Sequence, residues 1–244
     1  MLIIYIKIVA SIFAGFFAGM SAVYIFNRMP AKWLCDYGKT PEQELTDPYV
    51  QRVKGNPWRW VYAVGFIGLC LRLSLADTDD PGLGGVQLAV AGLFACWSLL
   101  IIGLADLKYM IIPDQFVIML ALTAVGFVPL YKGEMLLGPP GVWQPVIGMF
   151  IGGGFMLAVA GIGALILKKE VMGFGDVKLS AAMGLVLGIA GTIAVLTAAI
   201  LVSGAVAAVG LISGKVKPED SKPLGPFLAG SAIAYIFIAM PFYI

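Results

Sequence analysis

The sequence predicts an all-α, polytopic membrane protein of about eight transmembrane helices, with both termini on the outer side. Three observations carry that reading. The chain is 60% hydrophobic and 12% charged, whereas soluble domains carry roughly 25% charged residues. Apolar runs close to the ~20 residues that a helix needs to cross a bilayer recur from one end to the other. The basic residues gather in alternate loops. The longest polar interval, 27–57, is too short for a soluble domain of ordinary size. Residues 1–244 therefore read as a single integral-membrane domain, with 27–57 as a cytoplasmic loop inserted between the first two helices.

Each span has its own signal. Leu2–Phe26 carries one Lys (Lys7) and no small-residue cleavage site followed by a soluble domain, so it reads as a retained helix rather than a signal peptide. Trp58–Leu75 is the second span, with Trp58 and Trp60 as interfacial anchors. Val86–Ala105 is the third and closes at Asp106. Pro113 breaks the short polar segment that follows, and Gln115–Tyr131 is the fourth span. Gln144–Leu167 is the fifth. The apolar stretch from Leu179 to Ser213 is too long for one crossing. Gly188 and Gly191 bracket a turn in it, giving a short sixth helix and a seventh over Thr192–Leu211. Leu224–Ile244 is the last.

Charge sets the orientation. With the first loop placed in the cytoplasm, Arg28, Lys32, Lys39, Arg52, Lys54, Arg59, Lys108, Lys168, Lys169, Lys178, Lys215, Lys217 and Lys222 fall inside, and Lys7, Arg72 and Lys132 outside. The opposite orientation inverts the bias. Asp106 and Asp176 consequently share the cytoplasmic side, which a working carboxylate pair requires.

The chain has no histidine. That excludes Ser-His-Asp and Cys-His triads and His-ligated zinc. Cys35, Cys70 and Cys96 form no CxxC pair, so neither a zinc ribbon nor a disulfide framework is expected. Acid–base chemistry must therefore run on carboxylates, Lys, Tyr or Cys. An ionisable residue at a membrane edge is a functional-site candidate by default, and Asp106 and Asp176 are two. Carboxyl groups held close together share a proton, because both cannot ionise cheaply. The ionised member can then take a proton from water while the protonated one donates to a carbonyl oxygen. Gly173 and Gly175, in Gly173-Phe174-Gly175-Asp176, lack Cβ atoms and would let an extended peptide lie close to the backbone.

The plainer readings of these residues stand beside this one. An Asp at a helix end is commonly a cap, and Asp114 after Pro113 reads as one. Glu170, beside Lys168 and Lys169, reads as an interfacial charge cluster. Lys178 reads as snorkelling to headgroups, and Gly152-Gly153-Gly154 as helix packing.

The pattern as a whole resembles the type IV prepilin peptidases. Asp106 through Pro113-Asp114 is similar to the family's first aspartate motif, and Gly173-Phe174-Gly175-Asp176-Val177-Lys178-Leu179 to its GxGDxKL motif. Leu224-Gly225-Pro226-Phe227-Leu228-Ala229 is similar to its PFGPFLA segment, and Gly19 through Arg28-Met29-Pro30 is a fainter echo of its first motif. The resemblance implies an eight-helix aspartic endopeptidase of the cytoplasmic membrane of a prokaryote. Such an enzyme removes the short basic leader from prepilins or pseudopilins, with Asp106 and Asp176 as the catalytic pair. Gly173, Gly175, Lys178, Pro113, Asp114 and Glu170 would support that pair. The larger members carry two CxxC pairs in the loop that here holds only Cys35, so zinc is not expected. Proteolysis needs no cofactor, and S-adenosylmethionine enters only if methyl transfer to the new N-terminus is retained. Asp36, Glu42, Glu44 and Asp47 either meet a basic leader or are simply solvated.

The expected partners are prepilin-like proteins and lipid, not nucleic acid. Two other functions compete. A presenilin-like GxGD protease is disfavoured by Pro113-Asp114 and Gly225-Pro226-Phe227. A proton-coupled transporter would place its relay carboxylates nearer mid-bilayer.

Overall fold

A computed structural model describes residues 2–35, 52–76, 84–128, 131, 137–168, 172–214 and 223–238. Among these there is no strand. Seven helical segments occur: α1 (Leu2–Arg28), α2 (Trp58–Ala76), α3 (Gly84–Tyr109), α4 (Asp114–Phe127), α5 (Trp143–Leu167), α6 (Phe174–Ile212) and α7 (Gly225–Ile238), with a 3₁₀ turn at Ala31–Leu34. Four helices are long and apolar enough to cross a membrane: Ile4–Arg28, Val86–Tyr109, Trp143–Ile166 and Phe174–Ile212. Leu122, Val125, Phe150, Leu165 and Ile212 lie on the outer surface, each more than 65% exposed. A soluble protein does not tolerate so continuous an apolar surface. This is a multi-pass membrane protein.

Proline and left-handed residues end the helices. α4 stops at Phe127, earlier than the expected Tyr131, because Pro129 has no amide hydrogen with which to continue it. Tyr131 itself takes a 3₁₀ rather than an α-helical conformation. α3 runs past Asp106 to Tyr109, so that carboxylate belongs to the helix and does not follow it. Met110 then takes a left-handed conformation (φ 54°), and its N–H donates to the Asp106 carbonyl at 2.9 Å.

α6 is two helices. Gly188 has φ 66° and ψ −169°, a region open essentially to glycine alone, and it divides the segment into 174–187 and 189–212. A Cβ built at Gly152 of α5 would collide with the Ser180 carbonyl and also lie 3.3 Å from Thr192 Cγ2. Positions 180 and 192 would stand about 18 Å apart in a straight helix. The chain therefore turns back at Gly188, the first of the two glycines expected to bracket the turn, with the second arm starting at Ile189 rather than Thr192, and both arms pack on α5. Gly148 repeats the arrangement, facing the Gly184 and Gly188 backbones. Lipid gives helices no hydrophobic reason to associate, so close backbone approach through small residues holds this contact. Gly154, by contrast, faces open space.

α3 is the axial helix, packed by α1, α2, α4 and α7, while α6 meets α4, α5 and α7. On the far side, Gly15 and Gly19 of α1 sit against the Ile67 and Ala63 backbones of α2, and Ser11 and Ser74 share a hydrogen bond of 2.7 Å. The end of α1, the start of α2, the end of α3 and the starts of α4, α6 and α7 gather at one end of the bundle. Arg52 Nη1 donates to the Phe26 and Met29 carbonyls, and the Asn27 side chain exchanges two hydrogen bonds with the Val53 backbone. Lys108 Nζ donates to the Arg52 carbonyl. The return of the 27–57 interval is thus tied to α3 two residues beyond Asp106.

Candidate active site

The gathered helix ends bring together three segments far apart in sequence. Asp106 lies in the last turn of α3, Asp176 in the first turn of α6, and Gly225 opens α7. Asp106 is only 6% exposed, although it carries a carboxylate. Burying an unpaired charge is costly, so such a group is normally matched by a counter-charge or hydrogen bonds. Instead, Asp106 and Asp176 lie within electrostatic reach of each other. Asp106 Oδ2 and Asp176 Oδ1 are both buried and have no hydrogen-bond partner among the described residues.

The third segment fixes the first aspartate. The Gly225 backbone amide faces the Asp106 carboxylate. A Cβ added at Gly225 would stand 2.5 Å from Asp106 Oδ2 and 3.0 Å from its Cγ. Only a residue without a side chain lets the start of α7 close on this carboxylate. Gly225 was quoted in the sequence for its motif alone; which atom it must accommodate is a tertiary fact.

The supporting residues separate into different jobs. Lys178 Nζ donates to both carboxylate oxygens of Asp114 at 3.0 Å, joining the start of α6 to the start of α4. Asp114 is therefore not a cap: Pro113 occupies the cap position, with no side-chain capping bond. Nor does Lys178 merely snorkel. With both side chains about a third exposed, the pair contributes on the order of 1 kcal/mol or less, and its use is to hold two segments in register. Pro113 is buried, as the sharp entry to α4 requires.

The two motif glycines also differ. A Cβ at Gly175 would press on the Ile112 side chain at 3.2 Å, so this glycine lets the two aspartate segments pack together. Gly173, extended at φ −71° and ψ 145°, is exposed and uncrowded. Glu170 lies outside the described residues, as do Asp36, Glu42, Glu44 and Asp47.

Sequence reading missed one further polar group. Ser180, one helical turn after Asp176, is fully buried with its Oγ unpartnered among the described residues. The signal was its spacing of four residues from Asp176.

Fold and site together define a multi-pass helical membrane protein with an aspartate pair assembled from helix ends, one member buried and the other half-buried. The family model described as the type IV leader peptidase family matches residues 93–209, a range that contains both aspartates. The chain belongs to the type IV leader peptidase family. It is 31% identical over 167 residues to a prepilin leader peptidase/N-methyltransferase of Burkholderia pseudomallei, covering 67% of this chain and 50% of that one. It is 34% identical over 165 residues to the protein of that description from Aeromonas salmonicida (65% and 51% covered). With the one from Bacillus subtilis it shares 27% over 141 residues (57% and 52%). The chain spans about half the length of these relatives. No solved structure matches it significantly.

Proposed function

We propose that this protein is a membrane-embedded aspartic endopeptidase that removes the short basic leader from type IV prepilins or pseudopilin-like proteins. The observation that carries the reading is the approach of two carboxylates, one from each aspartate motif, each with one buried oxygen unpartnered among the described residues. The relatives' names support the substrate class. In this reading the bundle crosses the cytoplasmic membrane eight times with both termini outside, and the basic loop ends bring the pair to the cytoplasmic face.

The two carboxyls hold one proton between them. The ionised member takes a proton from a water molecule, whose oxygen attacks the scissile carbonyl carbon. The protonated member donates to the carbonyl oxygen, giving a neutral tetrahedral gem-diol. Collapse breaks the C–N bond as the amine nitrogen accepts the proton taken from water, and the other carboxyl recovers its own. No metal, histidine or covalent intermediate is required. Gly173 offers the open backbone along which the leader junction lies extended. Transfer of a methyl group to the new N-terminus would need S-adenosylmethionine as donor.

The test is cleavage of a prepilin with a basic leader ahead of its apolar helix, in detergent, by wild type, Asp106→Asn and Asp176→Asn. Each variant should lose about a thousandfold or more in kcat while keeping its thermal midpoint. Near-normal turnover by either variant removes the pair from catalysis. The mass of the wild-type product reports methylation in the same experiment.

A further inference from the structure

A guanidinium N–H withdrawn from water and left without an acceptor is costly, more so than a neutral donor. Arg59, in the first turn of α2, is half-buried, and its Nε is buried with no hydrogen-bond partner among the described residues. Among those residues no carboxylate answers its charge either. The first turn of α2 contains no acidic residue, and Asp114 is taken by Lys178 at the starts of α4 and α6. A second cation stands close by. The Arg59 N–H donates to the Gly55 carbonyl at 3.0 Å, and this turn brings the exposed Lys54 to the same helix start.

The surroundings are those of a bilayer interface. The guanidinium carbon lies 5.6 Å from the centre of the Trp60 ring, so the side chain leans over that indole. Trp58 and Trp60 are both about half exposed, as indoles at headgroup level are. Positions 60, 61, 64 and 65 share one face of α2. Trp60, Val61 and Val64 are exposed on it, and a Cβ added at Gly65 would meet nothing within 4 Å. A strip of open apolar surface therefore runs along α2 away from the cation. A free anion would use the cations and leave the strip bare. A phospholipid uses both.

We propose that Arg59 and Lys54 bind the phosphate of an anionic phospholipid whose acyl chain lies along Trp60, Val61 and Val64. A phosphate oxygen accepts from Arg59 Nε, a charge-assisted bond that the planar guanidinium is shaped to make. Lys54 adds a point charge. A zwitterionic lipid offers the same phosphate but brings its own cation, so two basic side chains without a described counter-charge favour a headgroup of net negative charge. This site does not depend on the peptidase reading.

The experiment places the full chain in phosphatidylcholine vesicles. It reads the quenching of tryptophan fluorescence by phosphatidylglycerol or phosphatidylcholine with brominated acyl chains, which quench an indole only at close range. Wild type should prefer phosphatidylglycerol about tenfold. Arg59→Gln should reduce the preference to about twofold or less. Arg59→Lys keeps the charge but has no Nε donor, and should fall between the two. If the glutamine variant does not fold, the lysine variant carries the test. Lys32→Gln removes an exposed charge from the same end of the bundle and should leave the preference intact. Inorganic phosphate, compared with chloride at equal ionic strength, should not displace the lipid. A wild type without preference overturns the proposal, and so does wild-type preference in either Arg59 variant. An equal loss in Lys32→Gln replaces the site with a diffuse surface potential. Displacement by inorganic phosphate assigns the two cations to a free anion and removes the lipid.

Discussion

At the Gly188 end of α6, the buried polar groups are matched. Tyr131 donates to the Val186 carbonyl at 2.6 Å, and Gln144 donates to the Leu137 and Pro139 carbonyls while accepting from the Ile189 amide. Thr192 closes on Gly188. At the Asp176 end of the same arm, Asp176, Ser180 and the neighbouring Asp106 each keep a buried oxygen unpartnered among the described residues. Both ends are built on short helical arms packed against α5. A fold that can satisfy polar atoms this thoroughly at one end spends stability by leaving them open at the other. Such exceptions mark places where a substrate or a proton completes the set. The Gly188 end should therefore govern stability and the Asp176 end turnover.

The substitution that tests this division most severely is Gly225→Ala. Its methyl group would sit 2.5 Å from Asp106 Oδ2, so the carboxylate must move by about an ångström, a displacement that can cost a hundredfold. Prepilin cleavage should fall by about that factor, with only a small change in thermal midpoint. A variant that cleaves normally would show that the start of α7 does not position Asp106. Gly188→Ala is its counterpart at the other end. The glycine-only conformation and the Tyr131 ring, 3.0 Å from the added methyl, should together lower stability by about 1–3 kcal/mol. Activity per folded molecule should be kept. If Gly188→Ala instead abolished turnover at full stability, the two ends could not be separated in this way.

These contrasts show what a linear sequence discloses. The turn at Gly188 was legible because thirty-odd apolar residues exceed one crossing and glycine marks the only cheap place to reverse. Pro129 carried a signal for the early end of α4 that the apolar run through Tyr131 obscured. Three features were not legible, because each depends on a partner distant in sequence. Asp114 reads as a cap until Lys178 is seen on it. Gly175 gives no sign in the sequence that Ile112 packs against it, and Gly225 gives no hint that its neighbour is a carboxylate. Local pattern fixes where helices begin and turn; which helix ends meet is set by packing across the bundle.

A finer test of the stability end is Tyr131→Phe, which deletes one hydroxyl and leaves the Val186 carbonyl buried without its donor. The expected cost is about 1–2 kcal/mol in unfolding free energy, read as a lower thermal midpoint, with kcat unchanged. A silent substitution would mean that the hydrogen bond at the turn contributes nothing, and that Gly188 alone holds the reversal.

The smallest effect belongs to Lys178 and Asp114, which link the starts of α6 and α4 beside the aspartates. Their charges are partly exposed, so their coupling in a double-mutant cycle of Lys178→Met and Asp114→Asn should be about 1 kcal/mol or less and should shrink as salt is raised. Turnover separates a strut from a chemical participant. If the pair only sets the register of the two segments, the single and double variants should lose the same modest factor in kcat, because removing either partner releases the same link. If Lys178→Met alone were as inactive as Asp176→Asn while Asp114→Asn remained active, the lysine would be acting on the reacting groups. The line between scaffold and chemistry at this end of α6 would then move two residues along the helix.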